Sequence, residues 1–194
     1  MPKHTMSKKA QFTQKQKSRI PLFLGVAAAV VGLIVALVMQ RQPGQANVEY
    51  FGEPVATPRS YVGRFISMTR VEPVIAEGQI KIPFDEVDRN NIVYFEAEND
   101  QGTLVPLMAY ITPSGRLFAG SSMCEPCRGR TFSLAGETLV CDNCRTTYTI
   151  EDHRFISGAQ ICGSFAPVNM NAVIEDGMVV IDQQRVLNWR IRAL

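Results

Sequence analysis

The sequence predicts a small, mainly β domain preceded by one transmembrane α-helix. Three observations predict it. An uncharged apolar run covers Ile20 to Met39. Short segments of β-forming residues, separated by turn residues, begin at about residue 61. All five cysteines lie between residues 124 and 162, four of them as two C-x2-C pairs. The 194-residue length suits one modest domain. With 46% hydrophobic and 20% charged residues, the composition is that of a folded chain.

The apolar run is IPLFLGVAAAVVGLIVALVM. At about 1.5 Å per helical residue it matches a hydrocarbon core roughly 30 Å thick. Pro21 suits a first helical turn. Lys3, Lys8, Lys9, Lys15, Lys17 and Arg19 precede the run, and only Arg41 stands close after it. The positive-inside rule then keeps residues 1–19 in the cytoplasm as a basic tail and exports the chain beyond the helix. A cleaved signal peptide fits less well, because its apolar region spans ~7–15 residues and ends at a small-residue site. Gln40-Arg41-Gln42-Pro43 offers no such site. The expected arrangement is a single-pass membrane protein with its C-terminal domain outside the cytoplasm.

Residues 40–60 carry Pro43, Gly44, Gly52, Pro54 and Pro58 with little periodicity, and read as a tether. The domain proper is expected over residues 61–194. Gln79–Pro83 alternates polar and apolar residues. Asn91–Glu98 is rich in β-formers, and Asn99–Gly102 is a turn. Leu104–Ile111 is a strand, Pro113-Ser114-Gly115 turns, and Arg116–Ala119 returns. Ala172–Glu175 and Met178–Ile181 flank Asp176-Gly177, a favoured hairpin turn. Val186–Leu194 is ambiguous between strand and short helix. The net charge of +2 comes from the tail, so no basic face remains for nucleic acid.

Cys124-Glu125-Pro126-Cys127 and Cys141-Asp142-Asn143-Cys144 stand thirteen residues apart. Each C-x2-C turn aims two thiolates at one point, and two such turns a hairpin apart make a tetrahedral sulfur cage of the zinc-ribbon or rubredoxin-like kind. Arg128–Val140 supplies the hairpin, with Ala135-Gly136-Glu137 at its tip. Sulfur ligation of this kind suits zinc, a single iron or an iron–sulfur cluster. Cys162 is a candidate fifth ligand, a redox neighbour, or a small buried residue. Exported cysteine pairs also form disulfides. Thiol–disulfide exchange motifs, however, open helices, where the thiol pKa is lowered. Here the surroundings read as strands and turns, which favours metal. His153, in Glu151-Asp152-His153-Arg154, reads as a solvated loop residue. The groups Asp85, Glu86, Asp88 and Glu96, Glu98, Asp100 read as solvated turns. No Ser/His/Asp set, phosphate loop or paired catalytic carboxylates can be assembled, so hydrolytic chemistry is not expected.

With these motifs in hand, the chain resembles the bacterial FtrD-like membrane iron–sulfur proteins over about residues 60–185. The resemblance runs through Val93-Tyr94-Phe95, Arg116–Gly120, Met123–Cys127, Leu139–Cys144, Gly158 with Cys162 and Pro167, and Glu175–Ile181. It implies an accessory protein of a bacterial iron-uptake system that transfers electrons or handles iron. The implied partners are an iron permease and a periplasmic iron-binding protein. It also implies an iron–sulfur cluster on Cys124, Cys127, Cys141 and Cys144, with Cys162 as a fifth cysteine; mononuclear iron loaded after export, or zinc, is the alternative that four sulfurs allow. One anchor cannot carry electrons across a membrane, so a membrane partner is implied as well.

Overall fold

A computed structural model describes residues 51–193; the expected membrane helix Ile20–Met39, the basic tail and the first half of the tether lie outside them. Among the described residues no helix is long and apolar enough to cross a membrane. The chain first forms β1 (Phe65–Ser67), β2 (Thr69–Arg70), β3 (Val74–Ala76), β4 (Gln79–Pro83) and helix α1 (Phe84–Asn90). Three longer strands come next, β5 (Ile92–Glu98), β6 (Leu104–Ile111) and β7 (Leu117–Ser121). Beyond them lie β8 (Phe132–Ala135), β9 (Thr138–Cys141), β10 (Thr147–Thr149), β11 (Phe155–Ser157) and helix α2 (Gln160–Gly163). The last elements are β12 (Val173–Glu175), β13 (Met178–Asp182) and helix α3 (Gln183–Leu187). The mainly β reading holds, and several strand limits agree to the residue.

Three sheets organise the domain: β2-β5-β6-β7, β12-β13-β4-β3 and β1-β8-β9-β10-β11. The first is covered on both faces. Every residue of β6 after Leu104 is buried, because alternate side chains enter different cores. Leu107, Ala109 and Ile111 join Phe95, Ile80, Ile82 and Val179 in an aliphatic cluster. Met108 and Tyr110 join Tyr61, Phe118, Tyr148 and the cysteines in a second cluster, rich in rings and sulfur. Each buried side chain of this size contributes ~1.5–3 kcal/mol of transfer free energy.

Helix α1 corrects one expectation. Asp85 and Glu86 occupy its first turn, where carboxylates complement the helix dipole, and Val87 is its buried residue. Asp88 pairs with Arg59 at 2.5 Å. Pro83, held extended, starts the helix, and Asn91 at φ 67° ends it. Seven residues with a single buried position leave no periodicity for a sequence to display. Of the ambiguous tail, Val186 and Leu187 close α3 while residues 188–193 form neither helix nor strand; α3 is capped by Asp182, whose carboxylate accepts from the Gln184 N–H at 2.9 Å. Residues 55–59, within the stretch read as a tether, hydrogen-bond to the β6–β7 turn: the N–H groups of Val55 and Ala56 donate to Gly115 O, and that of Arg59 to Pro113 O.

Candidate metal centre

Two knuckles of matching construction hold the four cysteines. In the first, the Cys124 N–H donates to Gly129 O at 2.8 Å; in the second, the Cys141 N–H donates to Thr146 O at 2.9 Å. Each loop therefore closes over the same number of residues. Each also places an arginine in the left-handed region directly after its second cysteine, Arg128 at φ 60° and Arg145 at φ 61°. That conformation is uncommon for a residue with a Cβ and signals a constrained turn. The strands β8 and β9 join the knuckles, with Phe132 opposite Cys141 in their register. The hairpin predicted from the thirteen-residue spacing is thus what brings the second pair to the first.

One ligand atom from each of Cys124, Cys127, Cys141 and Cys144 lies within 4.8 Å of all the others. The close contacts cross between knuckles: Cys124 Sγ to Cys144 Sγ is 3.7 Å, and Cys127 Sγ to Cys141 Sγ is 3.8 Å. All five cysteines are free thiols. Neither motif opens a helix; both sit in turns. Cys124 and Cys141 are buried, while Cys127 and Cys144 are partly exposed, so the cage has an inner and an outer edge.

Backbone and side-chain donors are distributed unevenly around it. In the Cys124–Cys141 pair, the Cys124 thiol and the N–H groups of Cys144 and Asn143 bring the Cys141 thiol below the usual thiol range against the opposing effect of burial. Cys124, the donor in that pair, is pushed far above the usual thiol range by the same bond and by burial. Burial raises Cys127 despite help from the Asn143 side chain and the Gly129 N–H. Burial opposes ionisation of Cys144 too, but the Thr146 hydroxyl, 3.2 Å away, and the Thr146 N–H outweigh it. A thiophilic cation would supply the charge that lets all four ionise together. The donor set therefore fits a metal.

Tight packing keeps the cage closed. A Cβ on Gly129 would stand 2.9 Å from Cys141 Sγ and from Asn143 Cβ. Asn143 Nδ2 donates to Cys127 O at 3.0 Å, tying one knuckle to the other. Gly158, at φ +111°, lies against Thr146, where a Cβ would come within 2.6 Å of Cα.

The remaining candidates fall elsewhere. Cys162 is buried on α2 and neighbours Cys124, but it is not part of the four-sulfur group. Its carbonyl accepts from the Tyr148 hydroxyl at 2.7 Å. His153 is a correction: it is buried rather than solvated, with its ring 4.5 Å from that of Phe118. Its Nδ1 lies 3.3 Å from Pro167 O and its Nε2 lies 2.7 Å from the Tyr110 hydroxyl, which itself donates to Ile150 O at 3.0 Å. Burial drops its pKa to about 4, leaving it neutral. Glu96 is held by Arg70, Arg130 and Tyr94 rather than free for a cation.

Sequence reasoning missed Glu125. Its side chain, inside the first C-x2-C motif, is fully buried and accepts from the Arg192 backbone N–H at 2.6 Å and from Arg192 Nε at 2.7 Å. Arg192 also donates to Ala166 O and lies over the Phe165 ring. No local signal marks a partner 67 positions away.

A family model described as membrane iron-sulfur containing protein FtrD-like matches residues 87–192, more than half of the chain. The chain belongs to this family. The FtrD-like span takes in both knuckles, Cys162 and Arg192, so the tail that neutralises Glu125 is part of the shared unit. No curated protein and no solved structure matched the FtrD-like chain.

Proposed function

We propose that this FtrD-like chain is a membrane-anchored, extracytoplasmic accessory protein of a bacterial iron-uptake system. It handles iron or passes electrons at a cysteine-held metal centre beside a permease and a periplasmic iron-binding protein. One observation carries the reading: four thiols from two separate turns converge within 4.8 Å. The family description supplies the link to iron and the membrane. The uncharged run Ile20–Met39 and the lysines before it support the anchor and its orientation. Sulfur-held iron supplies one-electron chemistry. The chain's part is to hold that charge in a shielded site while the partly exposed Cys127 and Cys144 leave one edge open to exchange.

A second reading keeps the cage but gives it zinc, because four thiolates bind zinc equally well in a purely structural role. Anaerobic purification of the full chain in detergent, with visible spectra in oxidised and reduced states, separates the two. The iron reading expects a sulfur-to-iron charge-transfer absorption that bleaches on reduction and returns on oxidation. A colourless protein with no redox response contradicts it.

A further inference from the structure

We infer that the cage holds one tetrahedrally coordinated ion and does not accommodate an iron–sulfur cluster, although the family description names iron–sulfur. The inference rests on the reading that the four cysteines bind metal, and it fixes the class of cofactor. A metal–sulfur bond of about 2.3 Å places the corners of a regular tetrahedron about 3.8 Å apart. The two cross-knuckle contacts are 3.7 and 3.8 Å, and no sulfur pair among the four exceeds 4.8 Å. A cluster distributes its thiolates over several irons. In a two-iron cluster most sulfur pairs span different irons, and in a four-iron cluster every pair does. Each such pair is pushed apart by the iron–iron separation in addition to the two coordination bonds.

The surrounding chain opposes that widening. The knuckles touch through Asn143 Nδ2 on Cys127 O at 3.0 Å, and Gly129 leaves no gap between Cys141 Sγ and Cys127 Sγ, which its Cβ position would approach to 2.9 and 3.3 Å. The Gly129 N–H donates to Cys127 Sγ at 3.4 Å, and those of Asn143 and Cys144 donate to Cys141. These bonds aim the sulfurs inward at one centre. Moving the knuckles apart to admit inorganic sulfide would break the contacts between them and expose Cys124 and Cys141, both 0% exposed. Four thiolates complete a tetrahedron, which leaves Cys162 outside the coordination shell and against Cys124.

The test is metal and acid-labile sulfide per chain in the full-length protein, measured as purified anaerobically and again after incubation with ferrous iron plus sulfide. One ion per chain and no labile sulfide are expected under both conditions, and Cys162→Ala should keep that stoichiometry. Two or more irons with matching sulfide would overturn the single-ion inference while leaving a cysteine-held metal in place. No metal, with the cysteines joined as disulfides, would overturn both. Loss of the ion in Cys162→Ala would contradict the placement of that thiol outside the shell.

Discussion

The two faces of the β2-β5-β6-β7 sheet are covered in different ways. One face meets an aliphatic cluster built by Ile80, Ile82, Leu107, Val179, Ile181 and their neighbours, in which apolar burial alone supplies the driving force. The other meets Tyr61, Tyr110, Phe118, Tyr148 and three cysteines, together with a buried histidine and, beside the cage, a buried glutamate. Polar groups in that second region are satisfied one by one: Tyr61 by Ile111 O, Tyr148 by Cys162 O, Tyr110 by His153, and Glu125 by Arg192. The contrast teaches that one half of the domain is held by apolar packing, while the other depends on specific partners and, on the proposed reading, on a metal. The differences can be broken experimentally, half by half.

Metal removal should have the largest effect. A cage binding its ion about a thousandfold below the free concentration gains ~4 kcal/mol from it. Chelation should therefore lower stability by at least that amount, and hydrogen exchange should rise in β8, β9 and β10 while β4, β6 and β13 stay protected. Uniform loss across both halves would remove the distinction.

The buried histidine provides a pH handle on the same half. Its folded pKa, about 4, lies below the ~6.5 of an unfolded histidine, so the unfolded chain takes up the proton first. Stability is full above pH 6.5, falls as the pH drops towards 4 and levels off below, a loss of about 3 kcal/mol. The difference between the wild-type and His153→Gln denaturation curves should isolate this slope from acid release of the metal. On the aliphatic side, Leu107→Ala should cost about 3 kcal/mol by leaving a cavity, with metal content unchanged. A loss of metal in that variant would mean the two cores are coupled through β6.

Smaller effects sharpen the comparison near the cage. Arg192→Ala leaves the buried Glu125 with the residue-192 backbone N–H but without the guanidinium that balances its charge. Because the arginine is 40% exposed and water can partly replace it, the expected loss is about 2 kcal/mol in chemical denaturation. Gly129→Ala should weaken metal binding about tenfold in a chelator competition, since the added methyl meets Cys141 Sγ and Asn143 Cβ.

The aliphatic half is the more legible in the sequence. Gln79–Pro83 is delimited correctly by its alternation, and Leu104–Ile111 by the turn residues that bracket a continuous apolar run. The hairpin Val173–Asp182 is legible from Asp176-Gly177. The ligand set of the cage is legible too, since C-x2-C spacing fixes local geometry. The long-range partners leave no such trace. His153 sits among polar neighbours in sequence, yet its burial is made by Phe51, Phe118 and Tyr110, each far along the chain. Glu125 lies between two cysteines and depends on Arg192. Pairings of this kind are set by the folded topology, which no window of residues contains.

X-ray absorption at the edge of the bound metal tests the central claim most directly. The account predicts a single shell of four sulfurs at about 2.3 Å and no metal–metal scattering. A metal–metal shell, or nitrogen or oxygen in place of any of the four sulfurs, would contradict it.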